Sequence, residues 1–237
     1  MRTRVRRYVM GRTLMTAERV RSTLAAYELW ADTYAAEPHN PLMAAEQRAM
    51  VGLLPDLCGQ RVLDLACGTG RYSRLLAAAH AAEVIALDIS APMLRKVTTG
   101  TRVLADMTQL PFAGDTFDVV ISGLALGHAL DLDLWMKEVA RVLRPRGTLL
   151  YSDFHPAASL RGLKRSFKDR TNRSHAVPHF CHGLQAQREA AAAAALTIQV
   201  TRELRAGIEF REEFPGSIDF YLHHFGTPLV LLVRAGK

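Results

Sequence analysis

Three carboxylates beside short apolar runs are the residues of this chain whose types and spacing could do chemistry. Asp64 lies inside one such run, and Asp88 and Asp106 each end another. Gly68 and Gly70 follow the first run and can take the positive φ that lets a backbone approach a ligand closely. An acid at the end of the second run stands about where a ribose-binding carboxylate belongs. Together these residues indicate a nucleotide-type site.

The elements that must position these residues follow from the hydrophobic pattern. Continuous apolar runs predict parallel strands that are buried on both faces, and their alternation with helices predicts a mostly parallel, doubly wound sheet of the α/β class. A helix directly after the glycines would leave free N–H groups at the turn. The predicted strands are 62–66, 83–88, 103–106, 117–122, 148–153, 196–204 and 229–234, and the predicted helices are 16–36, 42–54, 71–79, 132–143 and 184–195.

The glycine turn differs from that of the dinucleotide-binding enzymes. Arg71, Tyr72 and Ser73 follow Gly70, so the third glycine of G-x-G-x-x-G is missing. A dehydrogenase is therefore a poor interpretation.

With these motifs the chain resembles the class I S-adenosylmethionine-dependent methyltransferases from about Tyr27 to Arg234. The small-molecule members are the most similar, namely the malonyl-acyl-carrier-protein O-methyltransferases and the ubiquinone/menaquinone C-methyltransferases. The resemblance implies S-adenosyl-L-methionine as cofactor and S-adenosyl-L-homocysteine as product. It also implies a seventh strand that inserts antiparallel between the fifth and sixth. Ala66 stands where the family usually has a glycine, so we expect a slightly tighter turn and retained binding.

The resemblance also implies the cofactor contacts. The turn 64–70 would hold the methionine part, Asp88 the ribose hydroxyls, and Asp106 with the backbone of Met107 the adenine amino group. The segment after the fourth strand would pass beneath the cofactor. Tyr34 could close over the cofactor or simply pack on Trp30. The full expected set is Tyr34, Asp64, Ala66, Cys67, Gly68, Gly70, Asp88, Ile89, Met93, Asp106, Met107, Gly123 and Leu124.

The resemblance implies one methyltransferase domain at 27–237, preceded by a basic tail and the start of a helical extension at 1–26, and the composition agrees with a single compact domain. The chain has 237 residues, of which 49% are hydrophobic, and its longest apolar runs are too short for membrane insertion. The arginines of the first twelve residues are not followed by an apolar stretch, so a signal peptide is not expected. Three separated cysteines favour a reducing, cytoplasmic location and no metal site.

Two segments depart from the bare fold. The segment 156–182 is expected to be a cap insertion, and its apolar and basic residues recur at helical spacing, which predicts a helix with two adjacent faces. Its cations could meet a small or carrier-bound acidic substrate, or form a solvated surface. The segment 209–228 could be a lid on the acceptor pocket or a cover for the sheet edge. The two faces consist of Leu160, Leu163 and Phe167, and of Arg161, Lys164, Arg165 and Lys168.

Methyl transfer from a sulfonium asks little of the protein beyond alignment and exclusion of water. A hydroxyl, phenol or carbon acceptor needs a base, whereas a carboxylate does not. His155 is the first candidate for a base because it should point from the fifth strand into the cleft, and His128 is the second; either could instead orient a loop. The expected substrate contacts are Arg165, Lys168, His175 and His179.

The sequence therefore favours a small-molecule methyltransferase that acts on an oxygen, with a quinone-like or natural-product carbon acceptor as the alternative. A net charge of +7 raises a nucleic-acid methyltransferase as a rival, but the basic residues concentrate in the first twelve positions and in the cap. No N-P-P-Y-type segment follows the fourth strand, so no nucleic acid partner is expected. A non-catalytic binding module is disfavoured by the intact acids and glycines. The oligomeric state stays open.

Overall fold

The structure, a computed structural model, describes residues 23–207 and 218–237. The strands are β1 Arg61–Leu65, β2 Glu83–Asp88, β3 Thr101–Leu104, β4 Phe117–Ser122, β5 Leu143–Phe154, β6 Ser166–Lys168, β7 Ser174–Ala176, β8 Thr197–Arg205 and β9 Pro228–Gly236. The helices are α1 (residues 23–30), α2 Pro41–Val51, α3 Arg71–Ala78, α4 Ala91–Leu94, α5 Leu132–Val142, α6 Pro156–Leu160, α7 Leu184–Ala193 and α8 Ile218–His224.

Two predictions extend beyond the described residues. The basic tail and the first part of the helix predicted for 16–36 lie outside them up to residue 22. Residues 209–217 of the expected lid segment 209–228 also lie outside them. Within the described chain, no helix is long and apolar enough to cross a lipid bilayer.

The central sheet has seven strands in the order β3-β2-β1-β4-β5-β9-β8. The strands from β3 to β5 pair in parallel, and Leu63 at the centre lies opposite Ile85 on one side and Val120 on the other. The last strand, β9, runs antiparallel between β5 and β8. The predicted fold class is therefore confirmed, including the inserted seventh strand.

Side chains that alternate along each strand pack into two separate hydrophobic clusters, one on each face of the sheet. Val62 and Leu63 are neighbours in β1, yet each belongs to a different hydrophobic cluster. One cluster packs beneath α5 and α7 around Trp135, and the other beneath α2 and α3 around Met50. Full burial of a side chain of this size contributes about 1.5–3 kcal/mol. Asp64 near the end of β1 and Asp88 at the end of β2 lie where these buried strands meet a cavity.

The cap insertion is not the two-faced helix that the spacing predicted. The helix α6 ends at Leu160, and β6 and β7 then form an antiparallel hairpin. Gly162 has a φ of +83°, which no helix continues through, and the Asp169 carboxylate accepts the Thr171 N–H at the hairpin turn. Phe167 is buried in β6. The helical prediction was wrong because apolar residues seven apart also fit a short helix followed by a strand.

Candidate functional site

A cavity of about 1260 Å³ opens at the carboxyl ends of β1, β2 and β4. Pockets for one small molecule usually measure about 300–1,000 Å³, so this one has room for two ligands. Its strand end is lined by the residues that follow β1 to β4. Its cap end is lined by α1, by the turn that follows β4, and by the segment between α6 and β6.

The strand end begins with the glycine turn after β1. Ala66, Gly68 and Gly70 all have left-handed backbones, with φ of +58°, +56° and +79°. A Cβ on Gly68 would meet nothing within 4 Å, so its flank is open for a ligand, whereas a Cβ on Gly70 would lie 3.0 Å from Val97. Gly70 is the N-cap of α3 and packs against Val97, and it does not line the cavity. The left-handed conformation costs a residue with a side chain about 1–2 kcal/mol. Ala66 adopts it nevertheless, so the turn keeps its shape without the usual glycine.

Two acids line the strand end from neighbouring strands. Asp88 ends β2, and its carboxylate accepts the backbone N–H groups of Gly68 and Ser90, both at 2.8 Å. Burial raises the pKa of this carboxyl, and the two N–H groups oppose that rise. Asp106 follows β3 by two residues and accepts the N–H and hydroxyl of Thr108 at 2.8 and 2.7 Å. A carboxylate has about four acceptor positions, so both acids keep positions for sugar hydroxyls or a base amino group.

Asp64 is a third acid at the strand end and is 1% exposed. The Ser73 hydroxyl donates to its Oδ2 at 2.6 Å. Burial raises the pKa of the Asp64 carboxyl to about 6, against an ordinary value of 3.8. Cys67 next to it is also buried, and burial raises the pKa of its thiol well above 9.0. A cationic ligand group at this position would offset the burial cost of the Asp64 charge.

The remaining predicted cofactor contacts fall into two groups. Met93 is fully buried beneath α4 and does not line the cavity, so its expected contact was wrong; its apolar side chain fills the core instead. Tyr34 lines the cavity and also packs against Trp30, with ring centroids 4.8 Å apart; its closure over the cofactor stays a prediction. The others that line the cavity are Ile89, Met107, Gly123 and Leu124.

A buried polar cluster beneath the cavity was missed at the sequence level. Glu46 of α2 is 0% exposed and pairs with Arg71 at 2.9 Å. Its second carboxylate oxygen accepts the hydroxyls of Tyr72 at 2.7 Å and Ser152 at 2.6 Å. A Cβ on Gly123 would collide with the Tyr72 ring, so the glycine is required by packing. The only sequence signal was one acid inside an apolar helix.

The cap end contains a second buried guanidinium, that of Arg165, whose side chain is 7% exposed. It donates to the Tyr27 hydroxyl at 2.7 Å, to His128 Nε2 and to the Leu124 carbonyl. Its Cζ also lies 4.9 Å from the centre of the Phe154 ring. These partners are all neutral. Arg165 therefore brings a positive charge to the cavity wall, and its predicted contact with a substrate stays a prediction.

His128 lines the cavity, but both nitrogens of its ring are hydrogen-bonded. Nδ1 lies 3.2 Å from the Pro178 carbonyl, which can only accept, so Nδ1 carries the proton. Nε2 is then the acceptor for the Tyr27 hydroxyl at 2.8 Å and for Arg165. Burial, with the nearby Arg165 charge, lowers the pKa of His128 well below 6.5. This imidazole is neutral and its lone pair is occupied.

His155 does not point into the cavity, so its prediction as the base was wrong. Phe154 lines the cavity, and alternation along the strand turns the next residue away. The Nδ1 atom of His155 accepts the Ala157 N–H at 3.1 Å as the N-cap of α6, and Nε2 lies 3.3 Å from Glu203. It therefore joins α6 to the edge strand β8.

Three predicted substrate contacts also lie away from the cavity lining. Lys168 is exposed on β6, because Phe167 occupies the buried position of this short strand. His175 bonds Asp169 at 2.7 Å on the hairpin and stacks on Phe167. His179 is buried behind His128. Lining residues that the sequence did not single out include His39, His182 and Glu189.

Comparison with known proteins gives this cavity a context. A family model described as a methyltransferase domain matches residues 63–151. A malonyl-[acyl-carrier protein] O-methyltransferase from Dechloromonas aromatica is 30% identical over 183 residues, covering 75% of this chain and 69% of that protein. A demethylmenaquinone methyltransferase from Clavibacter sepedonicus is 39% identical over 105 residues, covering 41% of this chain and 42% of that protein.

The chain spans a smaller part of three other malonyl-[acyl-carrier protein] O-methyltransferases, namely 40%, 36% and 57% of their length. Among solved structures, an S-adenosylmethionine-dependent methyltransferase from Mesorhizobium loti superposes with a TM-score of 0.69 at 24% identity, covering 84% of this chain and 100% of that one. That likeness establishes the fold. The family assignment rests on the Dechloromonas match and the methyltransferase domain model. The chain therefore belongs to the S-adenosylmethionine-dependent methyltransferases.

Proposed function

We propose that this protein transfers the methyl group of S-adenosyl-L-methionine to a carboxylate oxygen of a small acidic acceptor, which in its natural form is carrier-bound. The observation that carries this proposal is the buried Arg165 at the cap end of the cavity. Its hydrogen-bond partners are neutral, and the nearest carboxylate, that of Asp153, lies 4.0 Å from Nη2 without a direct hydrogen bond, so the guanidinium could still bind an entering carboxylate. Arginine binds carboxylates strongly because its planar fork of N–H donors matches their two oxygens.

The residues at the strand end support binding of this cofactor. Asp88 would hold the ribose hydroxyls, Asp106 the adenine amino group, and the turn at Ala66 and Gly68 the methionine part, with Asp64 near its ammonium. The cofactor supplies a methyl group that a sulfonium already activates for displacement, leaving a neutral thioether. The protein has only to align the two ligands and exclude water, which is catalysis by proximity.

The state of the two titratable groups that contact Arg165, His128 and Tyr27, favours a carboxylate over a phenol or carbon acceptor. Among the described residues that line this end, His128 has its lone pair occupied, and burial raises the pKa of the Tyr27 phenol to about 12. Neither group is suited to remove a proton near neutral pH. A carboxylate arrives ionised and needs no base.

The walls around Arg165 favour an acceptor with an apolar portion. Trp30, Phe154 and Leu163 line this end, and Lys164 adds a cation. Such a chamber suits an acyl group that ends in a carboxylate. The printed names of several relatives point to malonyl groups on an acyl carrier protein, which is an acceptor of this kind.

A quinone-like ring is the second candidate, favoured by one specific observation. The rings of Tyr27 and Trp30 stack with centroids 5.7 Å apart beside the cavity, and such a surface can pack against a flat acceptor. The Clavibacter relative is named for a ring substrate. Methylation of a ring carbon would require a base.

A direct assay separates the two candidates. The full chain is incubated with S-adenosyl-L-methionine and either malonyl-pantetheine or a reduced naphthoquinone, and the methylated product is identified by mass spectrometry. We expect the malonyl methyl ester. Arg165→Gln should lower kcat/KM about tenfold or more, mainly through KM, because a buried charge contact is lost.

The matched control is Lys168→Gln, which removes an exposed cation from the same hairpin and should change kcat/KM by less than about twofold. A ring product without an ester would contradict the acceptor class. Equal effects of the two substitutions would contradict the role of Arg165.

A further inference from the structure

We propose that Asp153 and His179 are positioning residues that hold the Arg165 guanidinium at the cap end of the cavity. The inference rests on the proposed function, in which Arg165 binds the acceptor carboxylate. Neither Asp153 nor His179 lines the cavity, so both would act through Arg165.

Asp153 supplies the negative charge nearest to Arg165. It is the penultimate residue of β5, and its Oδ1 lies 4.0 Å from Arg165 Nη2. Both side chains are nearly buried, at 6% and 7% exposed. A buried guanidinium without a nearby carboxylate is strongly disfavoured, so this attraction keeps Arg165 folded inward. The distance exceeds a direct hydrogen bond, so Asp153 does not occupy the N–H donors that Tyr27, His128 and Leu124 leave for an acceptor.

The neutral partners of Arg165 fix its orientation but not its charge balance. Tyr27, His128 and the Leu124 carbonyl all accept from it, and none carries a negative charge. Without Asp153 these contacts would have to retain a desolvated cation alone. Arg165 would then be expected to move toward solvent, since its stem lies in the cap near the exposed Lys164.

His179 orients the Asp153 carboxylate from behind. Its Nε2–H donates to Asp153 Oδ1 at 3.3 Å, and its Nδ1 accepts from the Cys181 thiol at 3.8 Å. The backbone next to it is fixed as well, because the Phe180 N–H donates to the Gly127 carbonyl at 2.7 Å. Asp153 is thus held between an imidazole and a guanidinium.

Gly127 provides an independent sign that this pair needs close packing. A Cβ at this position would overlap the His179 ring and would lie 2.7 Å from Asp153 Oδ2. Gly127 does not have a left-handed backbone, so conformation does not require a glycine here. The absence of its side chain is what leaves room for the imidazole–carboxylate contact.

The first test follows the guanidinium itself by NMR of the 15N-labelled full chain. Rotation of a well-held guanidinium is slow, so Arg165 should give separate Nη signals, identified by their loss in Arg165→Lys. In Asp153→Asn these signals should merge. Arg71 is the internal control, because Glu46 holds it at 2.9 Å elsewhere in the core, and its signals should not change. Unchanged Arg165 signals in folded Asp153→Asn would overturn the proposal.

Two further variants change the contact between His179 and Asp153 and keep the test decisive if Asp153→Asn does not fold. His179→Gln and Gly127→Ala should both loosen Arg165 while Arg71 stays rigid. A Gly127→Ala protein with wild-type Arg165 signals would contradict the arrangement.

The kinetic test uses malonyl-pantetheine as acceptor. Asp153→Asn should raise its KM about fivefold with kcat within about twofold, and should add nothing in an Arg165→Gln background, because residues that act as a unit are not additive. An equal effect in both backgrounds would overturn action through Arg165. If the wild type binds S-adenosyl-L-methionine in calorimetry but leaves malonyl-pantetheine unmodified, the proposed acceptor fails, and the NMR result still decides the positioning role.

Discussion

The strand end of the cavity is formed by residues that directly follow β1 to β4, whereas the cap end is assembled from segments far apart in the chain. Gly68 and Asp88, which bond each other at the strand end, are separated by 20 residues. At the cap end Tyr27 bonds His128 across 101 residues and Arg165 across 138. The first site is a property of the sheet, and the second depends on how α1 and the hairpin close over it.

This difference indicates where acceptor specificity resides. Residues at the strand end are fixed by strands that are buried on both faces, so little can change there without loss of the core. The cap end is carried by connecting segments, which vary more readily on a rigid scaffold. We therefore expect substitutions at the strand end to change cofactor affinity, and those at the cap end to change acceptor affinity.

The largest expected effect at the strand end is that of Asp88→Ala. The substitution removes a carboxylate that fixes the Gly68 and Ser90 N–H groups and is assigned to the ribose. Loss of hydrogen bonds to a charged group costs about 1.5–3 kcal/mol, so cofactor affinity should fall about tenfold or more. Calorimetry with S-adenosyl-L-homocysteine measures it. Asp88→Asn, which keeps one oxygen, should lose less. Unchanged affinity in Asp88→Ala would refute the ribose assignment and the contrast between the two ends.

Asp64→Asn should have a smaller effect on cofactor affinity, which it should lower, and should raise the stability of the fold. Burial raises the pKa of Asp64 in the folded protein to about 6, so the folded state holds this proton more tightly than the unfolded chain. The favourable contribution of the protonated acid is complete below its ordinary pKa of 3.8 and is lost as the pH rises through about 6. At about pH 8, Asp64→Asn should therefore increase the free energy of unfolding by about 1–3 kcal/mol.

The same substitution should weaken cofactor binding about threefold to tenfold at about pH 8, because the ionised carboxylate would attract the ammonium of the methionine part. In the wild type, affinity should fall as the pH drops through about 6, and in Asp64→Asn this dependence should be reduced. Urea unfolding and calorimetry at several pH values measure both quantities. A less stable Asp64→Asn at about pH 8 would contradict the burial cost.

The sequence predicted the strand end well because its signals are local. A buried strand, two glycines and an acid at the next strand end are read from consecutive residues, and Asp88 and Asp106 lie where expected. Met93 and Gly70 were exceptions, since a short helix can turn a side chain either into the core or toward the cavity, and Gly70 packs against Val97. The ligand contacts of these residues remain predictions.

The cap end could not be predicted from spacing. The residues 160–168 fit both a helix and a helix followed by a strand, and the choice depended on Gly162 and on the turn at Asp169. Arg165 was named as a substrate contact for its position on a helix that does not exist, so its location on the cavity wall owes nothing to that argument. Its pairing with His128 depends on contacts that no local pattern encodes.

The smallest expected effect concerns His155, which lies one residue beyond the cavity wall. His155→Ala should leave kcat and KM for malonyl-pantetheine within about twofold, because the imidazole faces Glu203 and not the acceptor. It should lower the free energy of unfolding by about 0.5–2 kcal/mol through loss of the α6 N-cap, measured by urea unfolding. His155→Asn, whose side chain can also cap, should recover most of that stability. A large loss of turnover in a stably folded His155→Ala would mean that the acceptor reaches beyond Phe154. The boundary of the cap end would then have to be moved to include β8.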